Sequence, residues 1–376
     1  MERASHPEKI MEKNAPRIFV VCFTGNSGVT DYSVSLCREL VHKGEVTFIT
    51  ADSYDAGKYG AGFPAVKLFR RTRHYPFDIL RFVRYVLRHR PDVVLFQSWV
   101  KYPLLEGWIV KLFKLAGIRT ALTVHDLLPH YPRFWSAPLL AWYYRRFNRL
   151  IVHSQRAADG LLGMKVPAKP LVVPHGVYDI FRRGALTRAD VLPLFPEIAQ
   201  DDFVVLFFGH IETRKGILEF LAASELLSGS RKIKFLVAGR NDLGEITPSA
   251  RKFETYRRCS NVVMHDRSIP FDLVQHYFIV ADVVALPYLE GTSSGVMKLA
   301  MAFDKPVIAT DVGDLAETLK DWPGVLIGTA NPGKELAKAV ECLRERYDSY
   351  LSSVASNKEK YSWSSIGEKY FRLLDA

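Results

Sequence analysis

Three stretches of this 376-residue chain combine residue types and spacings that can do chemistry. The first is the small-residue turn of residues 291–295, "GTSSG", which follows the apolar run "ADVVALP" and opens a helical pattern. Backbone N–H groups at a helix start have no intrahelical partner and lie at the positive end of the helix dipole, so this turn suits a phosphate or diphosphate. The same residues also make an ordinary helix cap. The second is His125 with Asp126, where the strand-like "TALTV" ends. Side chains at the carboxyl end of a parallel strand reach the crevice where ligands bind, and a histidine there can relay a proton or donate a hydrogen bond near neutral pH. Such a pair is also often satisfied locally. The third is the turn after "RIFVVCF", with Gly25 and Gly28 ahead of a helix marked by Val34, Leu36, Leu40 and Val41. It lacks the third glycine and the acidic residue of a dinucleotide fingerprint, and tight βα turns need glycine in any case.

The elements that position these groups read as alternating strands and helices. "EVTFIT" is a strand, and "PFDILRFVRYVLRHRPDVVLFQS" is a helix followed by a strand. In that helix Phe77, Leu80, Val83 and Leu87 form a stripe expected to pack on a sheet, leaving Arg81, Arg84, Arg88 and Arg90 to solvent or to a membrane surface. "WYYRRFNRLIVHS" repeats the mixture of arginines and aromatics. Residues 181–201 lose apolar periodicity and read as a linker, after which "FVVLFFGHIETRKGILEFLAASELL" restarts the βα series. "KPVIATDVGD" is a parallel strand beyond the 291–295 turn, completing a βαβ unit. The expected architecture is α/β with two Rossmann-like αβα domains, residues 1–185 and 186–358, followed by a terminal helix over 359–376 with Trp363 as its packing anchor.

Composition narrows the class. Residues 1–180 hold 26 Lys and Arg against 14 Asp and Glu, so the net charge of +11 lies in the first half. An anionic membrane surface is an expected partner for that half; nucleic acid is not, because no recognition module accompanies the charge. No apolar run reaches membrane-span length and the first twenty residues lack a signal-peptide core, which predicts a cytoplasmic protein, peripheral on the inner face of the membrane. Cys22, Cys37, Cys259 and Cys342 are scattered without paired spacing, so neither disulfides nor a zinc site is expected. There is no Asp-x-Asp metal motif and no Gly-x-x-x-x-Gly-Lys-Ser/Thr loop.

The stretch "DVVALPYLEGTSSGVMKLAMAFDKPVIATDVGDLAE" resembles the donor-binding signature of retaining GT-B glycosyltransferases, in particular those of family 4. That resemblance implies two Rossmann-like domains facing each other across a cleft, with the last helix returning to the first domain. It implies transfer of a sugar from a UDP- or GDP-type donor to a glycan or lipid-linked hydroxyl in cell-surface polysaccharide or glycolipid synthesis, with no metal and no further cofactor. Glu290 stands at the first glutamate of the family's Glu-x7-Glu element; Lys298 occupies the position of the second, although a lysine only donates hydrogen bonds. Ser293, Ser294, Gly295 and Val296 form the turn that meets the donor. "GHIETRKG" is similar to the family's Gly-Arg-x-x-x-x-Lys-Gly diphosphate clamp, with Lys215 in place, His210 at the arginine position and Arg214 as a second cation. Adjacent cations on a βα loop are what a leaving diphosphate requires. The resemblance also assigns the base pocket to Gly239, Arg240 and the backbone around Arg267 and Ser268, the first loop to Gly28, and the sugar-contacting "HD" site to His125 and Asp126. The alternatives are a non-catalytic nucleotide-sugar or glycan binder and a same-fold nucleotide-sugar epimerase or phosphorylase.

Overall fold

The computed structural model describes residues 15–375 except 61, 71, 98–100, 129–132, 167–169, 231, 245–246 and 292–293. The chain divides into two compact units, residues 1–173 with 367–376 and residues 174–366.

The first unit is built on seven parallel strands: β1 (Arg17–Val21), β2 (Glu45–Ala51), β3 (Ala65–Phe69), β4 (Val93–Phe96), β5 (Arg119–Thr123), β6 (Arg149–Val152) and the two-residue β7 (Leu171–Val172). Their order is β3-β2-β1-β4-β5-β6-β7. β1 and β4 are near-continuous Val, Leu, Ile and Phe because helices cover both faces of such a sheet. Their register pairs Val20 with Phe48 on one side and Leu95 on the other.

The second unit carries β8 (Phe203–Phe208), β9 (Ile233–Gly239), β10 (Val262–Asp266), β11 (Val283–Leu286), β12 (Val307–Thr310) and β13 (Gly324–Ile327), again all parallel, in the order β10-β9-β8-β11-β12-β13. In each unit the strand order reverses once beside the first strand, between β1 and β4 and between β8 and β11. Ligands of open α/β sheets bind at that reversal, outside the carboxyl ends of the strands. Among the described residues no helix is long and apolar enough to cross a membrane.

Three expectations shift. The boundary lies at 173/174 rather than near 185, because the segment read as linker and the residues just before it are fastened to the second unit: Tyr178 N–H donates to the Lys298 carbonyl, Arg183 N–H to Gln275, and the Arg188 guanidinium to Asp282. The terminal helix is Trp363–Asp375, and only its residues from 367 onward belong to the first unit. Trp363 anchors the second unit, where its indole N–H donates to the Val177 carbonyl at 2.7 Å. In the arginine-rich helix Tyr75–His89 the buried stripe is Tyr75, Asp78, Ile79, Phe82 and Val86, while Phe77 and Leu80 face solvent. The i, i+3 spacing chosen from the sequence runs one position away from the stripe that Asp78 fixes by pairing with Arg70.

Candidate functional site

In the second unit the loop after β8 and the loop after β11 meet at the reversal of strand order. Gly216 has φ +72°, and a Cβ there would lie 1.8 Å from the Pro287 carbonyl oxygen, so only glycine lets the two loops touch. The Arg214 carbonyl accepts the N–H groups of Leu289 and Glu290, at 2.8 and 3.2 Å. This ties the Arg214–Lys215 pair to Glu290 through backbone. A Cβ on Gly209, itself at φ +101°, would stand 3.2 Å from Lys215 Nζ and 3.7 Å from Val296 Cγ2. The lysine head therefore lies against Gly209 and beside the first turn of the helix Gly295–Ala302. Ser294 caps that helix by accepting from Met297 N–H at 3.3 Å, and its hydroxyl also bonds Tyr288 OH at 3.0 Å.

Burial pushes the Lys215 ammonium below its ordinary pKa, partly offset by Glu212; Arg214 pushes it further down and Asp242 back up. Arg214 pairs with Glu212 at 2.5 Å. His210 Nδ1 bonds Asp242, which Arg240 also holds, and both keep the Asp242 carboxyl below the usual range. His210, Glu212 and Asp242 bring ligating atoms within 4.8 Å of one another, close enough for a cation, although Arg214 and Arg240 already supply positive charge there. Gly239 lets β8 and β9 converge, since a Cβ would fall 1.7 Å from the Gly209 carbonyl oxygen. Arg240, Arg267 and Ser268 are exposed at the carboxyl ends of β9 and β10. Ser293 lies outside the described residues. Lys298 lies elsewhere: its ammonium is buried 3.5 Å from Thr318 Oγ1, with burial lowering its pKa and Asp314 and Glu317 holding it up.

In the first unit His125, two residues past the end of β5 and half-buried, belongs to a polar chain that sequence reasoning missed. His125 Nε2 contacts Gln97 Oε1 at 3.1 Å, and its Nδ1 contacts His153 Nε2 at 3.2 Å. Gln97 meets Thr123 Oγ1 at 2.9 Å, Thr123 meets Tyr370 OH at 2.8 Å, and Tyr370 meets Tyr32 OH at 2.9 Å. Gln97 and His153 each follow an apolar strand, "VVLFQ" and "LIVH", the same signal that picked out His125. Both ring nitrogens of His125 are thus engaged by side chains, so the ring is positioned by the core, and proton abstraction by it would require breaking one of these bonds. Burial, then the neighbouring His153, holds its pKa well below the ordinary histidine value. Gly28 is the first residue of the helix Gly28–Leu40, whose cap Ser27 accepts from Thr30 N–H.

Two all-parallel doubly wound units, the second with a cationic loop and a capped helix start at its strand-order reversal, define a protein of the GT-B class. Residues 26–179 match the family model described as Glycosyltransferase Family 4, and residues 202–346 match Glycosyl transferases group 1. The chain belongs with the glycosyltransferases of this family 4 and group 1 type. Among curated proteins it resembles D-inositol 3-phosphate glycosyltransferases from Segniliparus rotundus, 29% identical over 59% of this chain and 50% of that protein, and from Paenarthrobacter aurescens, 27% identical over 57% and 54%. The match thus spans about half the length of these relatives. Similar solved structures include HepE of Anabaena with UDP and glucose, at TM-score 0.71, 15% identity and coverage of 96% of this chain and 100% of that one. Sucrose-phosphate synthase of Thermosynechococcus elongatus aligns at TM-score 0.69 and 17% identity, covering 95% and 98%. Likeness at this identity concerns the fold.

Proposed function

We propose that the protein transfers a glycosyl unit from a nucleoside diphosphate sugar, of UDP or GDP type, to a hydroxyl of a glycan or lipid-linked acceptor in cell-surface polysaccharide or glycolipid assembly. The observation that carries this reading is the fastening of the Arg214–Lys215 loop to the Glu290 loop through the Arg214 carbonyl, with the Lys215 ammonium beside the start of the Gly295 helix. In this reading Lys215 and Arg214 balance the charge that grows on the departing diphosphate, the N–H groups after Ser294 add the helix dipole, and Glu290 contacts the sugar. Arg240 and the Arg267–Ser268 backbone serve the base. His125 and Asp126 serve the acceptor side from the first unit, His125 as a positioned ring. UDP complexes of the structurally similar HepE support a nucleotide-sugar donor.

Retention fits a route in which the bond from the sugar C1 to the diphosphate oxygen breaks as the acceptor oxygen forms its bond on the same face, and the acceptor's hydroxyl proton passes to the departing phosphate oxygen. No separate base and no metal is needed for that route. NMR of the product anomer tests it, with the donor's anomeric configuration expected; an inverted product ends the retention claim. Release of nucleoside diphosphate only when acceptor is present separates transfer from epimerase chemistry.

A second reading, a non-catalytic nucleotide-sugar binder, draws on Lys298 and His210. The first is buried against Thr318 and the second is tied to Asp242, at two positions where the resemblance puts donor contacts. Calorimetry with UDP and GDP followed by a turnover assay distinguishes the two, since binding with no turnover across a broad acceptor set favours the binder.

A further inference from the structure

Tyr288 lies at the centre of the second unit's site, and the donor reading gives it no task. Its neighbours in the chain clasp the cationic loop: the Pro287 carbonyl abuts Gly216, and the N–H groups of Leu289 and Glu290 donate to the Arg214 carbonyl. The Tyr288 carbonyl itself accepts from Thr310 Oγ1 at 2.5 Å, which ties the backbone here to β12. The side chain is 5% exposed, and among the described residues its hydroxyl meets Ser294 Oγ alone, at 3.0 Å. Ser294, 4% exposed, also accepts from Met297 N–H at 3.3 Å. The pair therefore holds two hydroxyl protons and offers a protein acceptor to only one of them. Acidity decides which. A phenol is a stronger acid than an alkyl alcohol, hence the better donor and the poorer acceptor, and the N–H groups of the helix start drive the serine proton away from the helix. Burial also pushes the phenol pKa up to about 12, with Ser294 and Arg214 opposing and Glu212 adding, so Tyr288 has its proton to give at neutral pH. Tyr288 thus donates to Ser294. With both lone pairs of its oxygen filled, the serine is left with an O–H that has no protein acceptor, and a buried donor without a partner is costly.

We propose that Tyr288 is a positioning residue: by donating to Ser294 it turns the Ser294 O–H toward a phosphate oxygen of the nucleoside diphosphate. This rests on the transferase reading and deepens its account of the diphosphate site, where Lys215 and the helix N–H groups then act together with one aimed hydroxyl. A diphosphate oxygen accepts and has no proton to offer, so it completes the chain from Tyr288 through Ser294 in a single direction. Ser294 serves twice, its oxygen as the helix cap and its proton as the ligand donor. Since residues 287, 289 and 290 are fastened to the Arg214–Gly216 loop, the Tyr288 hydroxyl also carries the placement of that loop across to the helix start.

The test is calorimetry on the full chain with UDP, GDP and inorganic pyrophosphate, beside melting curves. Tyr288→Phe should weaken nucleotide and pyrophosphate binding by about fivefold each, with melting close to wild type because the phenylalanine ring fills the same space. Ser294→Gly should weaken both by a similar factor, since glycine caps a helix nearly as well as serine but has no hydroxyl. The double variant should bind no more weakly than Ser294→Gly alone, because Tyr288 acts through that hydroxyl. Losses that multiply in the double variant, or unchanged binding by Tyr288→Phe, overturn the proposal. If Tyr288→Phe does not melt cooperatively, Ser294→Gly decides: a fivefold loss for pyrophosphate with near-wild-type melting supports the aimed hydroxyl, and unchanged affinity overturns it. Failure of the donor reading looks different. Pyrophosphate binding that falls in both variants, with no binding of UDP or GDP, sinks that reading alone, whereas nucleotide binding indifferent to Tyr288→Phe sinks the positioning role alone. Binding of none of the three overturns both.

Discussion

His153 sets the direction of every hydrogen bond in the chain that runs through His125. Its Nδ1 lies 3.0 Å from the Val173 carbonyl, which can only accept, so His153 carries its proton there and its Nε2 accepts from His125 Nδ1–H. His125 Nε2 must then accept too, unless the ring is an imidazolium donating to both Gln97 Oε1 and His153. Burial opposes the charged ring. The neutral ring is satisfied when the Gln97 amide is turned over, which exchanges its donor and acceptor without changing its shape. Gln97 then donates to His125, Thr123 donates to Gln97, and Tyr370 donates to Thr123. Histidine ¹⁵N NMR at pH 7 should report a neutral His125 protonated on Nδ1; an imidazolium pattern would refute the neutral chain. The sign of the stability effect follows. With the folded pKa depressed, the unfolded chain binds more protons just below the ordinary histidine value of about 6.5. Stability is therefore full above that pH and falls as pH drops toward the folded pKa. Urea unfolding should show a smaller loss between pH 7 and pH 5 in His125→Gln than in the wild-type chain.

Loops and helix starts form the second unit's candidate site, and their constraints are local enough to test singly. Gly216→Ala puts a methyl carbon against the Pro287 carbonyl at positive φ, so destabilisation beyond about 1 kcal/mol is expected, with UDP binding lost as Lys215 moves. Ser294→Ala removes a cap worth about 1 kcal/mol and should lower the melting temperature with a modest rise in the Kd for UDP. Lys215→Ala should weaken UDP binding by roughly tenfold or more while leaving the melting temperature near wild type, because a charge-assisted contact to a phosphate is worth about 1.5–3 kcal/mol. Lys215 and Ser294 were singled out in the sequence by their places in the cationic loop and the 291–295 turn, whereas the Pro287 carbonyl that requires glycine at 216 was not visible there. The alternation of apolar runs with helical periodicity likewise announced both sheets. What stayed illegible depends on packing between segments far apart in the chain. The inward turn of Lys298 is set by Thr318, the coupling of His125 by Gln97, His153 and Tyr370, and the unit boundary by Arg188 reaching Asp282. Periodicity also misplaced the buried stripe of the Tyr75–His89 helix by one position, since an acidic residue, Asp78, is buried there with Arg70.

Across the whole molecule, charge and chemistry divide along the chain. The excess of 26 basic over 14 acidic residues lies in residues 1–180, together with the exposed apolar side chains of the Pro103–Leu115 helix, while residues 181–376 are close to neutral and hold the Arg214–Lys215 loop. If the second unit alone binds the nucleotide, its ligand should stabilise that unit by mass action, by about 2.7 kcal/mol at a hundredfold excess over Kd. Hydrogen exchange with and without UDP or GDP measures this by segment. Protection is expected at residues 209–217 and 287–298, where Gly216, Lys215 and the Ser294 cap lie, and at the carboxyl ends of β9 and β10. Amides of β1, β4 and β5 should exchange at unchanged rates, because the buried chain from Tyr32 to His125 is complete without a nucleotide. Protection that instead concentrates in residues 24–30 and 97–126 would move the nucleotide to the first unit and overturn this division of labour. Anionic vesicles should give the complementary pattern, slowing exchange in the Pro103–Leu115 helix at low salt and losing that effect as the Debye length shrinks from about 10 Å at 0.1 M to about 3 Å at 1 M salt.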